Sequence, residues 1–326
     1  MSKESHIERT ANEPRDASLH IVTISHITQV TPTIRIFRLD ISPGESIQFL
    51  PGQWVDLYPP PTAGIPKPGG FTITSAPSRA MPSPSQTSLP YIELAIQSSP
   101  SNPPAAYLFQ PPSTLVHTPV QVRIGGSFVF PPPFLRSPGT TTGPTPTPAA
   151  GIQLLRKVVL VASGMGINPL VSMLSHIGEQ EALEERGPRG FEVRLLYSVK
   201  SPFHNGGGTV LFLDRIARLF HSGGGRLRGG VRLFLTGGDG SGHHGDGEGQ
   251  ARDVVRCGDD GGIEVPFLRR RMTVADVEEA IGKEDKEAAV VYICGVPAMT
   301  DEFVEALVSA EGFGMDKGRV LFEKWW

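Results

Sequence analysis

Between residues 19 and 126, apolar side chains recur at every second position in short runs that are separated by Pro, Gly and Ser. This period is typical of β-strands that bury one face. Six short strands with little helix between them predict a small antiparallel barrel or sandwich. The predicted strands cover residues 19–27, 33–39, 53–58, 71–75, 91–97 and 120–124.

From residue 157 onward the pattern changes to buried strands that alternate with amphipathic helices. Strands that alternate with helices predict an α/β domain with a parallel sheet, here of about five strands. The predicted strands are 157–162, 191–198, 231–236, 290–295 and 319–323. The predicted helices are 168–178, 210–220, 273–281 and 300–310.

Low-complexity stretches suggest where the domains end. A Pro- and Thr-rich stretch at 131–150 reads as a linker between two domains at 19–130 and 151–326, and residues 1–18 form an N-terminal extension. A Gly-rich stretch at 221–262 reads as a solvated insertion in the second domain, because its composition cannot bury enough apolar surface to order itself.

One part of that insertion raises the question of a metal site. His243 and His244 stand near Asp239 and Asp246, which are residue types that bind metals. Adjacent histidines in a loop lack the i, i+4 spacing of a helical metal site, however. A solvated loop is the better interpretation, and no metal is predicted.

Composition and charge exclude several classes of protein. The net charge of −3 argues against a nucleic-acid-binding protein. Only Cys257 and Cys294 are present, so this chain carries neither a disulfide framework nor a four-cysteine cluster. No apolar stretch approaches the length that a membrane span needs, and the first twenty residues lack the apolar core of a secretory signal. A soluble intracellular protein is expected.

The connection between the strand at 157–162 and the next helix is the first candidate site. Ser163, Gly164, Met165, Gly166, Ile167, Asn168 and Pro169 form it. Glycine permits positive φ or close approach of a ligand, and the N-terminus of a helix attracts a pyrophosphate. We expect Val at either glycine to abolish nucleotide binding with little loss of fold. The third glycine of the usual Rossmann fingerprint is absent, and plain turn chemistry remains an alternative.

Three further stretches have ordinary interpretations when each is taken alone. In "PGQWVDLY" (51–58) Trp54 fits a barrel core, and in "GGFTITSAPS" (69–78) so does Phe71. In "YICGVPAMTDEF" (292–303), Thr300 and Asp301 could cap a helix. Their order along the chain, with the glycine turn between the second and third, suggests more than core packing.

In this order the stretches resemble the ferredoxin–NADP reductase superfamily, in which a flavin-binding barrel precedes a nicotinamide-binding domain. The resemblance includes "IELAIQSSPSNPPAAYLF", "VRIGGSF", "VLVASGMGINPLVSML", "LLYSVKS" and "LFEKWW". It therefore implies a two-domain β + α/β protein, with an N-terminal six-stranded antiparallel flavin-type barrel and a C-terminal parallel-sheet nicotinamide-binding α/β domain.

The resemblance implies a flavin site in the barrel. In this superfamily an Arg-x-Tyr-Thr/Ser motif binds the flavin, and Gly69, Phe71 and Thr72 occupy its places here, with Ser75 close behind. The first stretch adds Trp54 to the expected flavin-binding residues. Gly69 lacks the charge of the arginine, and the second flavin loop reads Asn-Pro-Pro-Ala at 102–105. FAD is implied, with FMN or no flavin as alternatives.

It also implies roles for residues in the second domain. Ser163–Asn168 would hold the pyrophosphate, and Cys294, Gly295, Pro297 and Met299 would border the nicotinamide. Glu323 with Trp325 or Trp326 would close over the flavin ring. Cys294 is expected to be a close neighbour of the nicotinamide and not a nucleophile. The residues expected at the reaction centre are Thr72, Cys294, Glu323, Trp325 and Trp326.

The function implied is that of an NAD(P)H-dependent flavin oxidoreductase. Hydride would pass from nicotinamide to flavin N5, and electrons would then pass to a separate acceptor, either a protein or a small molecule. NAD(H) is favoured over NADP(H). The alternative is a nucleotide-responsive binding protein with a degenerate flavin site. The resemblance favours a mitochondrial location, although no presequence is visible, and the cytoplasm is the alternative.

Overall fold

The computed structural model describes residues 5–83, 87–135, 155–183, 190–203, 208–221, 227–237, 253–258 and 261–325. The chain divides into two compact units. The first spans residues up to Pro133 and also takes in Asn168–His176, while the second includes residues 155–167 and 177–325. Most of the predicted linker at 131–150 lies outside the described residues.

Six antiparallel strands form the first unit. They are β1 His20–Thr31, β2 Ile34–Ile41, β3 Trp54–Tyr58, β4 Gly69–Thr72, β5 Tyr91–Gln97 and β6 Pro119–Gly125. Their order is β4-β3-β6-β1-β2-β5, and a bridge between Ile73 and Leu94 joins the two edges. Burial in β2 alternates strictly, as its sequence pattern predicts. The predicted six-stranded antiparallel barrel is confirmed.

Three short helices accompany the barrel, namely α1 His6–Arg9, α2 Pro103–Tyr107 and α3 Pro112–Leu115. The segment that contains α1 packs on the barrel through Asp56, whose side chain is fully buried. His6 Nε2 lies 3.0 Å from Asp56 Oδ1. Arg15 Nε and Arg123 Nη2 donate to Asp56 Oδ2 at 2.9 and 2.7 Å. The described part of the N-terminal extension therefore contributes to the packing of the barrel.

The electrostatics of this cluster favour a charged carboxylate. Burial alone would raise the pKa of Asp56, but hydrogen bonds from His6, Arg123 and Arg15 outweigh it and lower the pKa to about 2. Asp56 therefore remains ionised at neutral pH and compensates the charge of the two arginines.

The second unit contains a seven-stranded sheet. Its strands are β7 Lys157–Ser163, β8 Glu192–Lys200, β9 Gly229–Thr236, β10 Val254–Cys257, β11 Ile263–Leu268, β12 Ala289–Gly295 and β13 Val320–Lys324. The order is β10-β11-β9-β8-β7-β12-β13. All pairs are parallel except β10 with β11. Its helices are α4 Ile167–Leu183, α5 Leu213–Phe220, α6 Val274–Ile281 and α7 Pro297–Val308. Residues Asn168–His176 of α4 are assigned to the first unit.

The predicted α/β class is confirmed, but two strands were missed. β10 lies inside the stretch 221–262 that was predicted as a solvated insertion, so that prediction is wrong for residues 254–257. β10 and β11 gain their backbone hydrogen bonds from each other, and β11 also pairs with β9. Such pairing is invisible in a glycine-rich composition. His243, His244, Asp239 and Asp246 lie outside the described residues.

Two further findings concern membrane-spanning helices and metal-binding side chains. Among the described residues, no helix has the length and apolarity that crossing a bilayer requires. In the same part of the chain, no three or more His, Cys, Asp or Glu side chains are grouped so that they could hold a metal ion.

Candidate functional site

The glycine turn lies between a buried strand and a helix. β7 is fully buried from Val158 to Ala162, Gly164–Gly166 form one 3₁₀ turn, and α4 begins at Ile167. Gly164 has φ +55°, and a Cβ placed on it would have no heavy atom within 4 Å. An L side chain is disfavoured at this φ, while the space in front of the backbone is open. Gly164 therefore has both properties expected of a residue that faces a ligand.

Gly166 has a different role. A Cβ on Gly166 would lie 2.1 Å from the carbonyl oxygen of Cys294. The turn must therefore pass directly against the end of β12, and only glycine fits there. The expectation that both glycines make room for a ligand is wrong for Gly166, whose close neighbour is protein backbone.

The end of β12 lies beside this turn. A Cβ on Gly295 would be 2.8 Å from both Ser163 Cβ and Met299 Cε. α7 begins at Pro297, directly after Val296, whose side chain is 52% exposed. The alternative in which Thr300 caps the helix is wrong, because Thr300 lies inside the helix and its hydroxyl donates to Val296 O at 3.1 Å.

Cys294 is fully buried at the end of β12. Burial, and then the nearby charge of Glu323, raises the pKa of the Cys294 thiol well above its ordinary value. A protonated, buried thiol is a poor nucleophile. The raised pKa agrees with the expectation that Cys294 is not a nucleophile, and its place beside the nicotinamide stays a prediction.

The C-terminal strand brings two more of the candidate residues to the same place. In the parallel pairing of β12 with β13, Cys294 is the partner of Glu323. The Trp325 backbone N–H donates to Gly295 O at 3.1 Å, and its indole Nε1 donates to Glu323 Oε2 at 2.9 Å. Trp326 lies outside the described residues. The ends of β7, β12 and β13 thus gather three motifs that are far apart in sequence.

The barrel motif differs from this arrangement because its side chains are buried. Phe71 is 8% exposed and Thr72 is 4% exposed. A Cβ on Gly69 would lie 2.7 Å from the Phe71 ring and 2.8 Å from Pro104 Cβ. At Gly69, where the resemblance implies the place of a phosphate-binding arginine, neighbouring side chains therefore fill the space that a side chain would need.

Ser75 already has hydrogen-bond partners in the protein. Its hydroxyl accepts the backbone N–H of Glu93 at 3.1 Å, and its carbonyl accepts the Ser172 hydroxyl at 2.7 Å. Ser172 was missed by the sequence analysis. The sequence did contain a signal. Ser172 follows Asn168 by four residues, which places the two on one face of the predicted helix, and the residues beside Ser172 are apolar.

Trp54 lies in the interior of the first unit. It is fully buried, the His6 ring meets it edge-on at 4.7 Å, and Arg15 lies over its ring at 4.8 Å. A Cβ on Gly125 would be 2.5 Å from the indole. Protein atoms surround the ring completely, as the ordinary core interpretation expects, and its role in cofactor binding stays a prediction.

Asn168 is the second residue of α4 and is only 6% exposed. Its Nδ2 donates to the carbonyl oxygen of Ala95 at 2.9 Å, and both residues are in the first unit. Its Oδ1 is buried and has no hydrogen-bond partner. A buried amide with one satisfied end and one unsatisfied end requires an explanation.

Known proteins resemble this chain in sequence and in fold. No protein-family model matches the chain. The chain is 29% identical over 332 residues to oxidoreductase NAD-binding domain-containing protein 1 of Xenopus laevis, a match that covers 98% of this chain and 84% of that protein. The human protein of the same name is 27% identical over 327 residues, which cover 99% of this chain and 85% of the relative.

Three solved structures share the fold. The CS-b5R domains of human Ncb5or, in the NAD+ form, match with a TM-score of 0.61 at 18% identity and cover 94% of this chain and 69% of that chain. The flavohem-like FAD/NAD-binding domain of nitric oxide dioxygenase from Vibrio cholerae matches with a TM-score of 0.59 at 16% identity, and covers 94% of this chain and 98% of that chain. The ferredoxin reductase of carbazole 1,9a-dioxygenase also matches, with a TM-score of 0.57 at 15% identity over 95% of this chain and 70% of that chain, so the predicted resemblance is confirmed for the fold.

Proposed function

We propose that this protein binds a nicotinamide dinucleotide at the glycine turn and acts as an oxidoreductase, transferring hydride from NAD(P)H to flavin N5 and electrons to a separate acceptor. One observation carries the proposal. The motifs at 163–166, 294–299 and 323–325 meet at the carboxyl ends of adjacent parallel strands. Ligands of open α/β sheets bind outside these ends.

The nicotinamide half of the proposal fits the residues present. Gly164 leaves open space in front of a helix N-terminus, where backbone N–H groups and the helix dipole attract a pyrophosphate. The neutral Cys294 thiol adds no charge that would compete with the anion. The name of the sequence relatives supports NAD(H) as the dinucleotide.

The flavin half fits only in part. A bound flavin would supply a two-electron acceptor, and an apolar ring with a neighbouring hydroxyl, as in Phe71 and Thr72, suits its ring system. The phosphate end does not fit. Gly69 carries no charge and has no free space, and Pro103 and Pro104 remove two N–H donors from the start of α2. Flavin is therefore expected to be held by its ring and only weakly by its phosphates.

We also propose that Trp325 covers the flavin ring. The backbone N–H of Trp325 donates to Gly295 O, and its indole N–H donates to Glu323. Under this proposal the indole gives up its bond to Glu323 when it moves aside, while the backbone bond stays in place. Stopped-flow reduction of flavin in Trp325→Ala tests this role, since an unchanged rate would contradict it.

The misfit at the phosphate end favours a second candidate function, a nucleotide-responsive binding protein that holds little or no flavin. The visible absorption spectrum of the purified protein, before and after incubation with FAD, separates the two. A flavin band that NADH bleaches supports the oxidoreductase. A colourless protein that still binds NADH in calorimetry supports the binding protein, and absence of NADH binding contradicts both.

A further inference from the structure

The side chain of Asn168 has a definite orientation in the structure. Its Nδ2 lies 2.9 Å from the carbonyl oxygen of Ala95. The amide is therefore assigned with its N–H end toward Ala95, because a flipped amide would set two acceptor oxygens against each other. The Oδ1 end is consequently the end that remains without a partner.

An unsatisfied buried oxygen is costly. Leaving a buried acceptor without a donor costs about 1–3 kcal/mol, so most such groups in proteins are paired. Asn168 is only 6% exposed, and no donor of the protein bonds to its Oδ1. Four residues later, Ser172 also binds a barrel carbonyl, and its hydroxyl oxygen is not left without a partner. Of these two α4 side chains that bind the barrel, Asn168 is the one with an unpaired atom.

The position of Asn168 points to a ligand. It lies in the first turn of the seventeen-residue helix α4, two residues after the glycine turn. That turn leaves open space at Gly164. A phosphate at neutral pH has only acceptor oxygens, so it cannot satisfy the oxygen of an amide. The partner of Oδ1 must carry an N–H or O–H donor.

We propose that Asn168 Oδ1 accepts a hydrogen bond from a donor on the nicotinamide riboside half of the dinucleotide, either the carboxamide N–H or a ribose hydroxyl. This inference rests on the proposed function, and it gives the Asn168 side chain a role of its own beside the pyrophosphate that the turn is expected to hold. The bond to Ala95 fixes the amide before the ligand arrives, so the acceptor is already oriented. Asn168 then favours ligands that carry a hydrogen-bond donor where they meet its Oδ1.

Calorimetric titrations of the full chain with three ligands test the proposal. NAD+ carries both donors, 3-acetylpyridine adenine dinucleotide lacks the carboxamide N–H, and ADP-ribose lacks the nicotinamide but keeps its ribose hydroxyls. The variants are Asn168→Ala and Ser172→Ala. Each removes one buried side-chain bond to a barrel carbonyl, so Ser172→Ala controls for a loosened helix.

We expect Asn168→Ala to bind NAD+ about tenfold more weakly than wild type, which corresponds to one lost hydrogen bond, and Ser172→Ala to bind it within about twofold of wild type. If the donor is the carboxamide, the acetylpyridine analogue binds wild type about tenfold more weakly than NAD+ does, and Asn168→Ala binds the two equally. If the donor is a ribose hydroxyl, Asn168→Ala loses affinity for all three ligands.

Two results would overturn the inference. One is equal affinity of wild type and Asn168→Ala for each of the three ligands. The other is a loss in Ser172→Ala as large as that in Asn168→Ala, because the loss would then come from the helix. The comparison of NAD+ with its analogue needs only wild-type protein, so it stands even where a variant fails to fold. A wild-type chain that binds none of the ligands refutes the proposed function itself.

Discussion

The barrel motif and the glycine turn both place glycine where the superfamily binds a cofactor, yet the space in front of the two glycines differs. At Gly69 the Phe71 ring and Pro104 lie within 2.8 Å of where a Cβ would be. At Gly164 no heavy atom lies within 4 Å. Glycine in the barrel motif lets the protein pack against itself, whereas glycine in the turn leaves room for another molecule.

On the opposite face of β4, at Gly70, a protein side chain again occupies the space that a Cβ would need. A Cβ on Gly70 would meet the His6 ring at 2.1 Å, and the N-terminal segment that carries His6 is held on the barrel by Asp56. Both faces of the barrel motif are therefore covered by the chain itself. This difference in free space is what the proposed function requires, with dinucleotide at the turn and little recognition of flavin phosphates at the barrel motif.

The largest effect is expected for Gly166→Val, which tests whether the turn is a packing element as well as a site. The new side chain would overlap the carbonyl of Cys294, so β7 and β12 must separate. We expect no folded protein, or a loss of about 4 kcal/mol or more in the free energy of unfolding. Urea denaturation measures it. Gly190→Val, where a Cβ meets open space, is the matched control and should change stability little.

Asp56→Ala tests how firmly the barrel holds its N-terminal segment. Removal of the buried carboxylate leaves Arg15 and Arg123 without their partner, and we expect a loss of about 3–5 kcal/mol. Asp40→Ala breaks the more exposed pair with Arg38 and should cost about 1 kcal/mol or less. Equal losses in the two variants would contradict the comparison.

The cluster around Asp56 also predicts that the stability of the folded protein depends on pH. Because the pKa of Asp56 falls from the ordinary 3.8 to about 2 in the folded protein, its contribution to stability is complete above about pH 4. It is lost as the pH falls from about 4 toward 2. Thermal melting across this range should show a steeper loss in wild type than in Asp56→Asn.

Gly164→Val separates ligand binding from fold. A β-branched residue at φ +55° costs about 1–2 kcal/mol, so the protein should still fold. Its side chain would occupy the open space, and we expect NADH affinity to fall at least about tenfold. Calorimetry on the folded variant measures this. Unchanged affinity would mean that the turn is purely structural.

The smallest effect is expected for the phosphates of the flavin. Since Gly69 and the two prolines of α2 offer neither charge nor N–H donors, riboflavin, FMN and FAD should bind with affinities within about threefold of one another. Quenching of flavin fluorescence measures the three constants. FAD binding a hundredfold tighter than riboflavin would show that another part of the chain recognises the phosphates.

Much of the fold was predictable because it follows local periodicity. Alternation in strands such as β2, and the fully apolar runs of β7 and β12, require burial on one or both faces. The strands β10 and β11 were not predictable in the same way. Their pairing partners are each other and β9, and the stretch before them is rich in glycine. Long-range backbone pairing leaves little trace in local composition.

By itself the sequence determined the two kinds of domain, the candidate motifs and the need for glycine in the turn, because these depend on residue type and spacing. Only the tertiary structure decided what each residue faces. It turned Gly166 toward the backbone of Cys294, enclosed Trp54 between His6 and Arg15, and divided the Asn168 amide into a satisfied and an unsatisfied end. The reason is that residue type sets what a side chain can do, while its neighbours come from distant parts of the chain.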